Sequence, residues 1–328
     1  FFFFFFAGKK NNQNFPPPPA FTHNIDAVDR NLFCKSKIGD KMKVHFICGI
    51  PRSGSTLLAT ILSQNPALFS TISSPVYGIL SAVRQTVSSP NEHYPLMSNA
   101  IRNRLYEGVF QSYYDTALQA GRILIIDSNR SWPLLLSLTT ALFPESKMIV
   151  CVRSLAWVID SLERLFRKNS TIIPSFFQDA LEARTVYTRT DALMRPDRLV
   201  GASWNATREG FYGELSERLL LLEYDFLVKH PKQAIETVYN FIDEPTFEHA
   251  FSGLTMEGQE LIDQFDLALG VPGLHQVNPE VIFSPRQTIL PPELFQRLAS
   301  LSFWHDVKNT QSTILAETTR RSPEYKPA

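Results

Sequence analysis

A short segment of this chain combines the residue types that bind phosphate-like anions. Residues 46–60 read FICGIPRSGSTLLAT, in which an apolar run passes through a turn into a helix-forming stretch. A strand, a glycine-containing loop and a helix leave several main-chain N–H groups unpaired at one point, where the helix dipole adds partial positive charge. We therefore expect an anion-binding loop. Its residues are Gly49, Arg52, Ser53, Gly54, Ser55 and Thr56.

The loop differs from the P-loop of nucleotide hydrolases at one informative position. In G-x-x-x-x-G-K-[ST], the lysine reaches the outer phosphates and the hydroxyl binds Mg²⁺. Here Gly49, Gly54 and Thr56 occupy the glycine and hydroxyl positions. Ser55, however, stands where the lysine belongs, and the cation comes earlier, as Arg52. The sequence thus predicts an anion site without the metal–triphosphate machinery, and an ordinary βα turn is the alternative.

Polar residues follow three further apolar runs that we predict to be buried strands. They are Asp127 and Arg130 after RILII, Arg153 after KMIVCV and Tyr224 after RLLLLE. Ligands of open parallel sheets bind in the crevice outside the carboxyl ends of the strands. These residues are therefore expected to share one crevice with the anion loop, which would suit a ligand with two separated anionic groups.

Arg153 directly precedes the region of a predicted helix over residues 155–168, and Ser161 lies within that helix. Ser161 lies eight positions after Arg153, which is a rise of roughly 12 Å in a helix, so a long arginine that reaches along the axis can share a ligand with the serine. Taken alone, Ser161 reads as a solvated helix residue and Arg153 as a surface charge. Their joint occurrence after a buried strand favours a binding role.

These motifs resemble a known family, the sulfotransferases that use 3′-phosphoadenylyl sulfate (PAPS). The resemblance rests on PRSGST after a strand and on the strand–Arg–x7–Ser–helix unit. It is to the branch with an arginine loop, which includes tyrosylprotein-type and many bacterial enzymes, and it covers about residues 42–306. The runs LFPESKMIVCVR and LLLEYDFLVKHP and the late segment RQTILPPELF are similar to that branch as well. The resemblance implies an α/β fold like that of P-loop nucleotide hydrolases, with a mostly parallel sheet flanked by helices.

The resemblance also implies which residues bind PAPS. The loop residues Arg52 to Thr56 would hold the 5′-phosphosulfate, whereas Arg153 and Ser161 would hold the 3′-phosphate. Tyr224 would contact the nucleotide, and Ser284 with Arg286 would close over it. The implied reaction moves the sulfuryl group to a hydroxyl or amine of an acceptor and releases adenosine 3′,5′-bisphosphate.

Sulfuryl transfer from PAPS requires positive charge at the bridging oxygen and needs no metal ion. Arg52 and the loop N–H groups supply that charge, so Arg52 is expected to be catalytic. No Cys/His spacing in the sequence predicts a metal site.

The base that takes the acceptor's proton does not follow from the resemblance. Tyrosylprotein-type enzymes have a glutamate shortly after the loop helix, but here that stretch is LFSTISSPVYG. In the family, a lysine is common beside the residue that matches Asp127. This chain has Ser128 there, and Arg130 would take over the role of that lysine. We expect Asp127 to be the base because it follows a strand, although it could instead cap a helix or pair with Arg130. The other candidates are Glu92, His93, Glu107 and His275.

The composition of the chain is that of a soluble globular protein without a global electrostatic field. Of 328 residues, 44% are hydrophobic, and 32 Lys+Arg balance 32 Asp+Glu, so neither nucleic acid nor an anionic membrane is an expected partner. No apolar run is long enough to span a membrane, three cysteines give no disulfide framework, and we expect a cytoplasmic location. Residues 1–41 are predicted to be a disordered low-complexity extension, 42–310 the sulfotransferase domain and 311–328 a polar tail.

Hydrophobic patterns predict the elements that must position these residues. Strands are expected at 44–48, 68–73, 122–126, 147–152 and 219–222, and helices at 56–63, 99–119, 132–142, 155–168, 231–242 and 292–300. The remaining segments are expected to be irregular.

Two other functions are compatible with the sequence. A P-loop kinase or NTPase would bind ATP with magnesium, which the serine at the lysine position argues against. A non-catalytic nucleotide-binding scaffold would bind the bisphosphate without turnover. The acceptor is open among small molecules, carbohydrates, lipids and protein tyrosine, and the oligomeric state is not predicted.

Overall fold

Six parallel strands form the sheet at the centre of the protein. The computed structural model describes residues 42–90, 94–256 and 258–317. The strands are β1 (Lys43–Gly49), β2 (Leu68–Ser70), β3 (Leu124–Ser128), β4 (Met148–Val152), β5 (Leu219–Glu223) and β6 (Thr313–Leu315). They lie in the order β2-β3-β1-β4-β5-β6, and every neighbouring pair is parallel.

Helices connect these strands and cover both faces of the sheet. They are α1 (Ser55–Leu62), α2 (Val76–Ser88), α3 (Asn99–Gln119), α4 (Leu136–Leu142), α5 (Leu155–Lys168), α6 (Val186–Met194), α7 (Leu199–Tyr212), α8 (Tyr224–Lys229), α9 (Pro231–Phe241), α10 (Gln259–Ala268) and α11 (Pro292–Ala299). A 3₁₀ segment, Trp132–Leu135, precedes α4. None of the helices among the described residues is both long enough and apolar enough to cross a membrane.

The central strands are buried on both faces, which explains their continuous apolar runs. Alternate residues of β1 point to opposite sides: Phe46 joins a cluster with Trp132 and Phe110, whereas Ile47 packs in a second cluster with Leu58 of α1. Phe46 and Trp132 have ring centroids only 4.5 Å apart. The sheet is thus fixed in position from both sides, and so are the loops at the carboxyl ends of its strands.

The predicted fold class is confirmed, and so are most predicted elements. Residues 99–119 and 155–168 form helices with the predicted bounds. One boundary matters for the site: β3 runs to Ser128, so that Asp127 lies within the strand and does not follow it.

Two predictions about irregular segments are wrong. Helices α6, α7 and α10 lie in segments expected to be irregular. β6 lies in the expected polar tail of residues 311–328, because Thr313–Leu315 pair with β5 and extend the sheet. The predicted disordered extension, residues 1–41, lies outside the described residues, and so do 318–328, Glu92 and His93.

Candidate active site

The loop between β1 and α1 has a backbone path that leaves the start of α1 open. Gly49 has φ of 121°, and a Cβ there would collide with the backbone of Cys151 on β4. Gly54 (φ 96°) and Arg52 (φ 61°) also have left-handed backbone conformations, which a residue with a side chain rarely adopts. No side chain caps the first turn of α1. Its N–H groups are therefore available to an anion.

The side chain of Ser53 is part of the loop's support. Its Oγ lies 2.5 Å from the carbonyl oxygen of Ile50 and 2.7 Å from that of Cys151, and the residue is 1% exposed. A hydroxyl at this position joins the loop to the end of β4. Because the hydroxyl is engaged, the main-chain N–H of Ser53 is the group left for its predicted role in holding an anion.

Four of the predicted site residues form one connected group. Nε of Arg52 donates a hydrogen bond to Oγ of Ser161 at 3.1 Å, and Nη1 of Arg52 donates to the carbonyl oxygen of Leu274. Nη1 of Arg153 donates to the carbonyl oxygen of Arg52 at 3.4 Å. The guanidinium carbon of Arg153 lies 4.0 Å from the centre of the Tyr224 ring. Arg52 is thus held from both sides.

Ser161 does not face the ligand space in this arrangement. It is 6% exposed, lies on α5 and accepts the hydrogen bond from Arg52. The structure brings Ser161 to Arg52, and this contact positions the loop arginine.

A cavity of about 290 Å³ lies at the carboxyl ends of the central strands. One wall is the loop, including residues 54–57. Arg130 after β3, Arg153 after β4 and Tyr224 after β5 also line the cavity. Residues 274–278 and 280–282 form the facing wall. The crevice that the sequence predicted thus exists, with the anion loop and three of the predicted residues on it.

The charge in this cavity is positive and largely uncompensated. Arg52, Arg130 and Arg153 line it, and within the described part of the chain no carboxylate reaches ion-pair distance of any of them. Burial lowers the pKa of all three guanidinium groups, and that of Arg153 to about 10. Nε of Arg153 is buried without a hydrogen-bond partner. Buried charges without counterions are unfavourable, so the cavity is complementary to an anion.

Asp127 lies on the other side of β3 from the cavity and does not line it. The carboxylate is fully buried and accepts hydrogen bonds from the Tyr114 hydroxyl at 2.5 Å and from Nε1 of Trp132 at 2.7 Å. Burial raises the pKa of this carboxyl group. Both oxygens are engaged in the core, so the geometry assigns Asp127 a structural role, which corrects the expectation that it is the base. Glu107, another candidate, is on α3 and does not line the cavity either.

Arg286 lies near the cavity arginines and forms an ion pair with a buried carboxylate. Its Nη2 is 2.8 Å from Oδ2 of Asp160, which is fully buried on α5. The proximity of Arg286 contributes to the lowered pKa of both Arg52 and Arg153. Neither Arg286 nor Ser284 lines the cavity, and Ser284 is exposed. The sequence did not single out Asp160, although its position beside Ser161 was a usable signal.

Among the base candidates that the structure describes, His275 is the one that lines the cavity. Its Nδ1 is 2.5 Å from Oδ1 of Asp266, and its main-chain N–H donates to Oδ2 of the same carboxylate at 2.8 Å. Asp266 is fully buried and lies on α10. Asp266 was not recognised as a partner of His275 from the sequence, because α10 itself was not predicted.

The fold is α/β, and the loop after β1 leaves main-chain N–H groups available beside three buried arginines. A model of the sulfotransferase family matches residues 45–249, and the chain belongs to that family. A search of curated proteins finds no match.

The fold is similar to that of a solved sulfotransferase domain, and two further solved sulfotransferases match more weakly. The sulfotransferase domain from the curacin biosynthetic pathway is 20% identical, with a TM-score of 0.50, covering 80% of this chain and 97% of that one. The domain from the olefin synthase of Synechococcus PCC 7002 is 19% identical, with a TM-score of 0.45, covering 81% and 96% of the respective chains. Sulfotransferase STF9 from Mycobacterium avium is 16% identical, with a TM-score of 0.43, covering 85% and 79%.

Proposed function

We propose that this protein transfers the sulfuryl group of PAPS to a hydroxyl or amine of an acceptor and releases adenosine 3′,5′-bisphosphate. The observation that carries the proposal is the group of buried arginines, Arg52, Arg130 and Arg153, around one cavity. PAPS has anionic groups at two separated ends, and the arginines stand at the ends of three different strands. Membership of the sulfotransferase family supports group transfer as the reaction.

The loop binds the phosphosulfate end of PAPS in this proposal. Ser55 and Thr56 line the cavity at the open N-terminus of α1, where main-chain N–H groups and the helix dipole favour an anion. Gly54 lets the backbone approach the Tyr224 side chain closely, with no room for a Cβ. Serine in place of the P-loop lysine removes the cation that would reach a third phosphate, which favours PAPS over a nucleoside triphosphate.

The far end of the cavity binds the nucleotide and its 3′-phosphate. Arg153 is the proposed 3′-phosphate ligand, because its buried Nε has no hydrogen-bond partner. The Tyr224 ring under its guanidinium group fixes the arginine plane and contacts the nucleotide. Ser161 supports the phosphosulfate end, because its hydroxyl accepts the hydrogen bond from Arg52. Arg286, with Ser284 on the same segment, closes over the nucleotide.

Catalysis follows from where Arg52 is held. In the transfer, an oxygen or nitrogen of the acceptor forms a bond to sulfur, the bond from sulfur to the phosphate oxygen breaks, and the acceptor loses a proton to a base. Arg52 stabilises the negative charge that develops on the departing oxygen. The hydrogen bonds of Arg52 to Ser161 and Leu274 fix its side chain before the ligand arrives. Arg130, which lines the cavity after β3, adds positive charge near the transferred group.

Binding measurements with matched nucleotides test the proposal. Calorimetry with adenosine 3′,5′-bisphosphate, AMP, and ATP plus Mg²⁺ should show the bisphosphate to bind most tightly. Arg153→Ala should weaken bisphosphate binding roughly 10- to 100-fold, the value of a charged hydrogen bond of about 1.5–3 kcal/mol, and leave AMP binding unchanged. Arg122→Ala is the control, because Arg122 also contacts an aromatic ring, that of Phe69, but does not line the cavity.

Two results would contradict the proposal. Tighter binding of ATP with Mg²⁺ than of the bisphosphate would favour a nucleotide kinase or hydrolase. Tight bisphosphate binding without release of bisphosphate from PAPS, in the presence of phenols, alcohols and amines or in water alone, would favour a non-catalytic scaffold.

A further inference from the structure

His275 and Asp266 form a buried pair at the wall of the cavity. Asp266 accepts two hydrogen bonds from the same residue, one from the His275 main chain at 2.8 Å and one at Nδ1 at 2.5 Å. The carboxylate is fully buried, whereas His275 is partly exposed and lines the cavity. A carboxylate that accepts the Nδ1 proton fixes the neutral imidazole in the form whose Nε2 accepts a proton.

The backbone around the pair is anchored to the rest of the protein. The N–H of Val271 donates to the carbonyl oxygen of Asp266 at 3.0 Å, and Nδ2 of Asn169 donates to the carbonyl oxygen of Pro272 at 3.3 Å. Val271 and Leu274 are buried in the core. The imidazole is therefore carried on a fixed segment, as a group that must meet a reacting atom requires.

The same segment holds the loop arginine. Nη1 of Arg52 donates to the carbonyl oxygen of Leu274, the residue directly before His275. Asp266 is also close enough to Arg52 to favour its charged form. His275 therefore directly follows the residue that binds Arg52, the arginine proposed to act on the departing oxygen.

We propose that His275 is the general base for the acceptor and that Asp266 is its positioning residue, an inference that rests on the proposed sulfuryl transfer. Nε2 takes the proton from the acceptor hydroxyl or amine as the new bond to sulfur forms, and the carboxylate stabilises the resulting imidazolium. No other reactant is needed: the proton moves to His275, and the electron pair of the broken bond leaves with the phosphate oxygen.

Other residues on the cavity fit this role less well. Among the described lining residues, Glu280 is the one carboxylate, and it is exposed at the rim. The Tyr224 hydroxyl belongs to the ring that packs against Arg153. Asp127 is engaged with Tyr114 and Trp132 away from the cavity.

The acidity of the acceptor provides a test that a merely structural role would not pass. An acceptor that is already ionised needs no base, whereas an acceptor that carries its proton does. PAPS turnover is measured with phenol and with 4-nitrophenol at a pH at which the latter is ionised, and also with water as the acceptor. His275→Gln and Asp266→Asn should lower kcat about 10²- to 10⁴-fold with phenol or water and less than about 10-fold with 4-nitrophenol. Their affinity for adenosine 3′,5′-bisphosphate should stay that of the wild type.

His305→Gln is the matched control, since His305 also contacts a carboxylate, that of Glu223 at 3.3 Å, and does not line the cavity. Equal losses on phenol and 4-nitrophenol, or no loss on phenol and water, would overturn the assignment of His275 while leaving the proposed function intact. A wild-type protein that binds the bisphosphate but transfers sulfate to none of these acceptors would refute the proposed function itself, and with it the base.

Discussion

The carboxylate of Asp160 holds the segment that carries Arg286, so its neutralisation should affect both stability and nucleotide binding. Oδ2 of Asp160 contacts Arg286 at 2.8 Å and Nε of Arg164 at 3.0 Å. Oδ1 accepts hydrogen bonds from the Thr288 hydroxyl at 3.0 Å and the Ile289 N–H at 2.8 Å. Asp160→Asn keeps the shape of this side chain and removes its charge.

The size of the effect follows from burial. Breaking one side of a buried ion pair costs about 3–5 kcal/mol when the partner stays buried. The Arg286 and Arg164 side chains are 34% and 37% exposed, so water compensates in part, and we expect Asp160→Asn to lower the free energy of unfolding by about 3 kcal/mol. If Arg286 contacts the nucleotide as proposed, its displacement should also weaken bisphosphate binding roughly 10- to 100-fold.

Glu163→Gln separates the two effects. Glu163 lies on the same helix, is 2% exposed and pairs with Arg167 at 2.8 Å and with Arg189 at 2.6 Å. Neither arginine contributes to the lowered pKa of Arg52 or Arg153, whereas Arg286 contributes to both. Urea unfolding should therefore show a similar loss of stability for both variants, whereas calorimetry should show weaker bisphosphate binding for Asp160→Asn alone.

The reasoning is refuted by either of two results. Unchanged bisphosphate affinity in Asp160→Asn would mean that the Arg286 segment is not part of the binding site. An equal loss of affinity in Glu163→Gln would mean that α5 acts through overall stability and not through this segment.

Further predictions concern the loop and the core. Gly49→Ala should lower the free energy of unfolding by about 3 kcal/mol, because its Cβ meets the Cys151 backbone in a left-handed conformation. Gly78→Ala, where no atom lies within 4 Å of the added Cβ, should raise the free energy of unfolding by about 0.5–1 kcal/mol. Equal urea midpoints for the two variants would contradict this expected difference in stability. Burial lowers the pKa of His45 from 6.5 to about 4, so the unfolded state binds a proton below pH 6.5 that the folded state does not. Stability present above pH 6.5 should fall by about 3 kcal/mol towards pH 4, and a His45→Gln variant with the same acid dependence as the wild type would show that His45 is not responsible.

The sheet and its main helices could be predicted because their apolar residues recur with a clear period. The helix α10 shows why other elements could not. Its Leu261 and Leu267 are 71% and 61% exposed, while the polar Asp266 is fully buried. A hydrophobic pattern therefore points to the wrong face. The partner of His275 was hidden for the same reason.

The helix α7 was missed for a different reason. Its buried face consists largely of small residues, among them Gly201, Ser203, Ala206 and Gly210. Gly201 packs directly against the backbone of Met194 and Arg195, where a Cβ has no room. Close backbone packing of this kind leaves no apolar stripe in the sequence.

The position of Asp127 illustrates the limit of reasoning from strand ends. The prediction ended the strand one residue before it, whereas β3 continues through Ser128. Because side chains alternate along a strand, the Asp127 carboxylate within β3 faces Tyr114 and Trp132 and points away from the cavity. The Arg52 loop and Arg153 were easier to place, because each directly follows a buried apolar run.

The pairing of β1 with β4 fixes the distance between the anion loop and the turn that carries Arg153. Gly49 is in register with Cys151, and the Ile50 N–H donates to the Cys151 carbonyl oxygen at 3.0 Å, so the loop and the turn that carries Arg153 leave adjacent strands side by side. The separation of the two proposed anion-binding positions is then set by the hydrogen bonds of the sheet. If both positions bind as proposed, a nucleotide whose anionic groups are spaced differently can satisfy one position or the other, but not both.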